Sequence, residues 1–292
     1  MMLRGEEMSV TETVNADHIS NVIVVSDTHC GCRMGLCPPE VSFDDGGGYT
    51  ASPLQLKTWA WWTEFWDEWV PHITRGQPYA VVVNGDMIEG RHHNATTQIS
   101  ANLADQSKIA ESVFGTIVQR CDKRFYVVRG TEAHTGPSAE TEEALAGKLD
   151  AVPDELGNHS RWELWMRIGG RSLVHFLHQI GTTSSAHYEA TALTKELNET
   201  YLEAAKWALE PPAAVVRSHR HRDYITRINT HAGYAYCIVT AAWQLKTPLT
   251  HRMAMSRTSA PTIGGLALIQ GDEDFYPREK VWKIDRPTEV TI

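Results

Sequence analysis

The sequence contains no apolar run close to the roughly 18 residues that cross a bilayer, so we expect no membrane segment. Its N-terminus also lacks the apolar core of a signal peptide and carries acids where such a peptide carries bases. We predict that residues 1–19 are a disordered lead-in, that residues 20–292 form a single domain, and that the protein is cytoplasmic. Nothing in the sequence indicates an oligomeric state.

Cysteine is scarce, and basic residues are outnumbered by acidic ones. The chain has five cysteines, of which Cys30, Cys32 and Cys37 are close in sequence. Without a secretory signal we predict reduced thiols, and a structural metal held by these three is the alternative. The 27 basic and 36 acidic side chains give a net charge of −9, which excludes a broad basic surface for non-specific nucleic-acid binding.

Short apolar and β-branched segments alternate with segments of helical periodicity. Ser52-Pro53 is typical of a helix start, and the tryptophans that follow recur every three or four residues as a core-packing stripe. We predict an α/β fold whose central strands run partly parallel, followed after Arg222 by an antiparallel sheet layered against the first. The predicted strands are Asn21–Ser26, Tyr79–Asn84, Phe125–Arg129, Ser172–His178, Ala213–Ser218, Tyr224–Asn229, Ala235–Ala241 and Ile263–Gln270, and the later helices are Thr97–Cys121 and Ser184–Leu209.

Each of the first five predicted strands is followed by, or ends in, an aspartate or a histidine. In open α/β sheets ligands bind outside the carboxyl ends of the strands, so we expect these side chains to meet at one edge. Imidazole and carboxylate groups together are typical ligands of a divalent transition metal. The residues concerned are Asp27, His29, Asp86, His134, His178, His219 and His221.

The motif order resembles that of the calcineurin-like metallophosphoesterase superfamily. It runs D-x-H at Asp27, G-D at Asp86, a glycine-to-histidine element at Gly130–His134, a strand-end His178, and H-x-H at His219. The resemblance covers residues 22–222. It implies a four-layer α/β/β/α sandwich of two mixed sheets flanked by helices, with two metal ions between the sheet edges.

The resemblance also implies a role for each matching residue. Asp27, His29 and His221 would hold the first metal, Asp86 would bridge both, and His178 and His219 would bind the second. The third motif departs from the family pattern G-N-H-[DE], since this chain has Gly130-Thr131-Glu132-Ala133-His134. Either Thr131 or Glu132 replaces the asparagine ligand, or the second site is weak and the activity altered. The segment is similar to phosphoesterase-like proteins associated with phages.

We therefore expect a hydrolase of phosphate esters, above all a phosphodiesterase, that uses a hydroxide bridging two divalent metals as its nucleophile. The ligand types favour Mn²⁺, Fe²⁺ or Zn²⁺. His134 would protonate the leaving oxygen. The cationic and imidazole side chains expected to orient phosphate oxygens are Arg91, His92, His93, Arg220 and Arg222.

Three other functions compete with this one. A nuclease acting on DNA or RNA would use tryptophan or tyrosine near the site to stack bases. A non-catalytic, metal-stabilised binding module would explain the altered third motif. An amidohydrolase would place H-x-H first in the chain, which this order contradicts.

Overall fold

The computed structural model describes residues 18–92, 94–181, 188–231, 233–252, 260–285 and 289–291. Most of the predicted lead-in 1–19 and His93 lie outside the described residues. The helices are α1 (Pro53–Glu64), α2 (Val70–Thr74), α3 (Leu103–Arg120), α4 (Glu132–Thr135), α5 (Glu140–Lys148), α6 (Glu189–Lys206) and α7 (Pro248–Arg252).

Thirteen strands are found in the described part of the chain. They are β1 (Asn21–Val25), β2 (Glu40–Ser42), β3 (Gly48–Thr50), β4 (Ala80–Asn84), β5 (Phe125–Val128), β6 (Ser160–Arg161), β7 (Leu164–Ile168), β8 (Ser172–Phe176), β9 (Ala214–Arg217), β10 (Tyr224–Thr230), β11 (Gly233–Val239), β12 (Ile263–Gln270) and β13 (Phe275–Trp282).

Two mixed sheets carry the site. The larger has the order β13-β12-β1-β4-β5-β6, in which β1, β4, β5 and β6 run parallel. The smaller has the order β10-β11-β9-β8-β7, in which β8, β9 and β11 run parallel. Strands β2 and β3 form a separate hairpin.

The buried apolar residues fall into three layers. Val22 and Val24 of β1 pack between the two sheets, whereas Ile23 faces the opposite side, as the two-residue period of a strand requires. On that side it joins Trp62 of α1 and Phe114 of α3. Helix α6 covers the outer face of the smaller sheet. The predicted four-layer α/β/β/α sandwich is therefore confirmed.

The tryptophan stripe belongs to the helical segment that covers the larger sheet. Ser52 and Gln55 form a reciprocal capping box at the start of α1, which fixes where the helix begins. Trp62 and Trp66 are buried, and the helix continues through a π-helical turn at Phe65–Trp69 into α2. The prediction that this stripe packs into the core is confirmed for these two residues.

The prediction that the three last strands form one antiparallel sheet was wrong. Strands β10 and β11 form an antiparallel hairpin in the smaller sheet, but β12 joins the larger sheet beside β1. All but the last residue of β12 are buried, because its two faces are covered by different layers of the sandwich. The partner of such a strand depends on contacts far along the chain.

Several element ends also differ from the predicted ones. Strands β1, β5 and β9 end one residue earlier than expected, and β8 ends two residues earlier. Helix α3 begins at Leu103 instead of Thr97, because the side chain of Asn102 caps it. Within the described residues, no helix combines the length and apolar character needed to cross a bilayer.

Candidate metal centre

The carboxyl ends of the parallel strands bring the predicted ligands together. Strands β1 and β4 are neighbours in the larger sheet, so the loops that carry Asp27 and Asp86 leave the same edge. Backbone hydrogen bonds join these loops directly: Asp27 N–H donates to Gly85 O at 3.0 Å and His29 N–H donates to Asp86 O at 3.1 Å. The smaller sheet supplies His178 after β8 and the H-x-H loop after β9.

The first ligand cluster consists of Asp27, His29 and His221. The Nε2 atoms of the two histidines are 3.1 Å apart, and Asp27 Oδ1 lies 3.1 Å from His221 Nε2 and 3.9 Å from His29 Nε2. Three ligand atoms at these separations can surround one cation. The three residues that the family resemblance assigned to the first metal therefore meet.

The second cluster consists of Asp86, His178 and His219. Asp86 Oδ2 lies 3.0 Å from His178 Nε2, and the rings of His178 and His219 are 5.4 Å apart. The two clusters are adjacent, since Asp27 Oδ1 is 4.0 Å from His178 Nε2. The bridging role expected of Asp86 stays a prediction.

Asp27 Oδ1 and His178 Nε2 are buried and make no hydrogen bond, and each faces another expected ligand atom, His221 Nε2 at 3.1 Å and Asp86 Oδ2 at 3.0 Å. The other oxygen of Asp27 is satisfied, because Ser26 Oγ and His219 N–H donate to it at 2.6 and 3.3 Å. His178 Nδ1 lies 2.6 Å from Asn84 O and so donates to it, which leaves Nε2 as the nitrogen that can bind a cation. A buried atom without a partner is unfavourable, so both atoms fit ligands of a cation.

Five of the six expected ligands have a left-handed backbone. The φ angles are +51° at Asp27, +43° at His29, +56° at Asp86, +71° at His219 and +54° at His221. Non-glycine residues adopt this region rarely and at a cost of about 1–3 kcal/mol each, and such residues cluster at functional sites. The loops therefore hold these side chains in orientations that a relaxed backbone would not give.

The charges within the centre oppose the effect of burial. Burial alone would raise the pKa of Asp27 and Asp86, but the facing imidazoles hold the pKa of both carboxyls well below the usual value. Burial would lower the pKa of His29, yet hydrogen bonds to Asp27 and Glu89 raise it to about 10. Burial opposes the charge of His178 as well, but Asp86 and Asp27 raise its pKa to about 9. Without a cation, His29 and His178 are therefore protonated near pH 7.

Thr131 holds Asp86 in place. Its backbone N–H donates to Asp86 Oδ1 at 2.7 Å, and its hydroxyl donates to the same carboxylate at 3.1 and 3.2 Å. The hydroxyl is therefore used to orient an expected ligand. Glu132 begins helix α4 with an exposed side chain and belongs to neither cluster. The geometry therefore does not support Glu132 as the ligand that replaces the missing asparagine.

His134 faces the centre from helix α4. Its Nδ1 lies 2.6 Å from Glu89 O and donates to it, which leaves Nε2 as an acceptor 4.0 Å from Asp86 Oδ2. Burial lowers the pKa of His134 to about 4. The imidazole is therefore neutral near pH 7 and must accept a proton before it can donate one.

The expected phosphate-orienting residues do not all reach the centre. His92 faces the site, where its Nε2 lies 3.1 Å from Glu89 Oε1. Arg91 is exposed and donates to Ala101 O instead. Arg220 and Arg222 flank the centre and both pair with Glu189 at the start of α6.

The sequence analysis missed Glu89, which is almost fully buried beside His29. Its Oε2 lies 3.1 Å from His29 Nδ1 and accepts from Gln244 Nε2 at 3.0 Å. The signal available in the sequence was weak, because an acid three residues after Asp86 is typical of an exposed loop. By contrast, Cys30, Cys32 and Cys37 are buried, and none belongs to a ligand cluster found among the described residues.

A cavity of about 490 Å³ opens onto both clusters. This volume falls in the range of small-molecule sites. Besides the ligands, the described lining includes four cations and many small aliphatic or threonine side chains, but no phenylalanine, tyrosine or tryptophan. The cations are Arg220, Arg222, Lys246 and Arg252.

No family model and no curated protein matches the sequence. Among solved structures, the chain is similar to a Streptococcus pneumoniae TIGR4 protein described as a predicted phosphoesterase, at 10% identity and a TM-score of 0.34, covering 90% of this chain and 98% of that one. It is also similar to vacuolar protein sorting 29 of Cryptosporidium parvum, at 9% identity and a TM-score of 0.39, covering 92% of this chain and 100% of that one. A double mutant of the Entamoeba histolytica protein Vps29 is similar at 12% identity and a TM-score of 0.39, covering 90% of this chain and 99% of that one.

The chain's own geometry defines the fold and the candidate site. The similarity of Gly130–His134 to phage-associated proteins stays a prediction. The two mixed sheets, the flanking helices and the two adjacent clusters of histidine and aspartate reproduce what the motif order implied. The chain therefore has the four-layer α/β/β/α fold that the motif order implied, and its candidate ligands meet at the carboxyl ends of the parallel strands.

Proposed function

We propose that this chain is a binuclear metal-dependent hydrolase of small phosphodiesters. The observation that carries the proposal is the adjacency of two clusters, each with one aspartate and two histidines, at the floor of a cation-lined cavity. Asp27, His29 and His221 would hold one ion, and Asp86, His178 and His219 the other. When bound, two divalent ions such as Mn²⁺, Fe²⁺ or Zn²⁺ supply the charge that activates water and stabilises phosphoryl oxygens.

The remaining groups bind the substrate and move a proton. Arg220 and Arg222, fixed by Glu189, carry guanidinium groups whose planar donors match phosphate oxygens. The neutral His134 would accept a proton at Nε2 from the attacking water and deliver it to the departing oxygen. Because Nδ1 is held by Glu89 O, only Nε2 serves in this exchange.

The cavity favours a small diester over a nucleic-acid strand. No phenylalanine, tyrosine or tryptophan is among its described lining residues, so the aromatic stacking surface typical of single-strand binding is not found there. The lining cations nevertheless match an anionic substrate, although the chain as a whole carries a net charge of −9.

One observation favours the alternative of a metal-stabilised binding module. Thr131 stands where the family has an asparagine ligand, and its hydroxyl is engaged with Asp86. The second cluster then has three protein ligands. A weakly occupied second site without turnover would follow from that arrangement.

The test is to purify the chain without chelator, measure bound metal by mass spectrometry, and assay bis-p-nitrophenyl phosphate and single-stranded DNA with added Mn²⁺. Asp86→Ala is the test variant, and Asp272→Ala, an exposed loop aspartate, is the matched control. We expect about two metals per chain, faster turnover of the small diester, and loss of turnover in Asp86→Ala alone.

Each other outcome has a definite meaning. Metal without hydrolysis of any ester would replace the proposal with the binding module. Faster cleavage of DNA would replace it with the nuclease. No metal uptake in either protein, even with Mn²⁺ supplied, would overturn the proposal.

A further inference from the structure

Glu142 is a fully buried acidic side chain in the first turn of helix α5. Glutamate is almost never fully buried without a partner, so its contacts call for an explanation. Both of its oxygens accept backbone hydrogen bonds: Oε1 from Met87 N–H at 3.1 Å and Oε2 from Gly130 N–H at 2.6 Å. Among the described residues Glu142 forms no ion pair with a lysine or arginine, and the nearby Arg129 pairs with Glu143 instead.

These two amide groups belong to the two loops that meet at Asp86. Met87 directly follows Asp86, and Gly130 directly precedes Thr131, whose N–H and hydroxyl donate to the Asp86 carboxylate. One side chain from α5 therefore joins the loop after β4 to the loop after β5, just behind the expected ligand.

The space between the loops is too small to tolerate a shift. A Cβ added at Gly130 would stand 2.1 Å from Asp86 Oδ1 and 2.4 Å from Asp86 N. Glycine is thus required for the close approach, and the Glu142 carboxylate fixes how near the two backbones stand. On the other side of this junction, Asp86 Oδ2 lies 3.0 Å from His178 Nε2.

We propose that Glu142 is a positioning residue of the metal centre, which holds the Asp86 and Gly130 loops at the separation that metal binding requires. The inference rests on the proposed function, because it assigns Glu142 a role toward the ion that Asp86 binds. Groups that orient metal ligands typically change metal affinity by about 10–100-fold when they are replaced.

Glu142→Gln tests the proposal with little change in shape. The glutamine oxygen accepts one of the two N–H groups, but its amide N–H₂ then faces the other donor. Glu143→Gln is the matched control. Glu143 is the next residue of the same helix and accepts the backbone N–H groups of His159 at 2.7 Å and Ser160 at 2.8 Å, away from both ligand clusters.

The experiment is a calorimetric Mn²⁺ titration of the full chain and both variants, with urea unfolding in EDTA alongside. We expect the Mn²⁺ Kd of Glu142→Gln to rise about 10–100-fold while that of Glu143→Gln stays at the wild-type value. A merely structural role would lower the unfolding midpoint of both variants without a selective change in Kd. Turnover of Glu142→Gln should recover at high Mn²⁺.

An unchanged Mn²⁺ affinity in Glu142→Gln would overturn the inference. If that variant does not fold, hydrogen exchange of the wild-type chain decides: the Met87 and Gly130 amides should gain protection together when Mn²⁺ is added, and no gain would refute the role. If the wild-type chain takes up no Mn²⁺, the proposed function fails first, and the inference fails with it.

Discussion

Glu89 Oε2 lies 3.1 Å from His29 Nδ1, and this contact determines which nitrogen of His29 faces Asp27. A carboxylate at neutral pH only accepts, so Nδ1 carries a proton, and Nε2, which faces Asp27 and His221, is the nitrogen that a cation would deprotonate and bind. An acid in this position sets the ring orientation and raises the basicity of a metal-binding imidazole.

Replacing Glu89 should therefore weaken metal binding. Glu89→Gln keeps an acceptor for His29 Nδ1 but loses the charge, so we expect a rise of about tenfold in the Mn²⁺ Kd. Glu89→Ala also removes the acceptor, and the rise should approach about 100-fold. Calorimetric titration measures both Kd values, with Glu143→Gln as the control. If the wild-type chain and the three variants bind Mn²⁺ equally well, Glu89 does not have this role.

Metal binding should depend on pH, because protons occupy the same nitrogens. The pKa values of His29 and His178 in the metal-free chain are raised to about 10 and about 9 from the ordinary 6.5. Both rings are then protonated at pH 7, so Mn²⁺ must displace protons and its apparent affinity should rise with pH. Titrations at pH 7 in two buffers of different ionisation enthalpy will detect the released protons. Identical heats would contradict this prediction.

The same shifts fix the sign of the pH effect on the stability of the metal-free chain. A histidine pKa raised by folding stabilises the folded state fully below pH 6.5, and this contribution is lost as the pH rises through about 9–10. Urea unfolding in EDTA should therefore give a lower free energy of unfolding at pH 9.5 than at pH 6.5. Saturating Mn²⁺ should reduce that difference, because the ion replaces the protons.

A second prediction of stability concerns Arg217, which is buried in β9 and paired with Glu196 of α6 at 2.9 Å. Glu196→Gln leaves that guanidinium without its counter-charge. We expect a loss of about 2–3 kcal/mol, below the roughly 3–5 kcal/mol of a fully buried pair, because the Glu196 side chain is 25% exposed. Urea unfolding measures it. Glu199→Gln, which breaks an exposed pair with Lys195, should cost under about 1 kcal/mol.

Arg220 offers a test of substrate binding apart from metal binding. Its guanidinium lines the cavity and is held by Glu189, which keeps a second partner in Arg222. Arg220→Gln should raise the KM for a small diester about tenfold, as the loss of a charged hydrogen bond implies. Metal stoichiometry should not change. Arg167→Gln, which breaks an exposed ion pair with Glu210, is the control. If Arg220→Gln and the wild-type chain have the same KM, Arg220 does not bind the substrate.

The residues at strand ends were predictable from the sequence, because parallel strands deliver their carboxyl ends to one edge. That rule placed Asp27, Asp86 and His219 together without any knowledge of the contacts. Glu89 and Glu142 were not predictable. Their burial depends on groups far along the chain, such as Gln244, 155 residues from Glu89, and the Met87 amide, 55 residues from Glu142, and a single sequence does not show those contacts.

The place of β12 was missed for a similar reason. Its pattern is that of a buried strand, which fits the interior of either sheet. The choice of β1 as its partner spans more than 240 residues of sequence and is made by the packing of whole layers. The local sequence pattern predicted that β12 is a strand but not that it pairs with β1.

The left-handed backbone at five expected ligands restricts how this centre can change by mutation. At those positions glycine and asparagine are the replacements that keep the backbone relaxed, whereas valine or isoleucine would strain the loop as well as remove a ligand. A chain of this fold that loses its metals should therefore drift toward glycine and asparagine there and become more stable as it does so. The left-handed backbone therefore lowers the folding stability of the present chain, and in exchange it orients the ligand side chains.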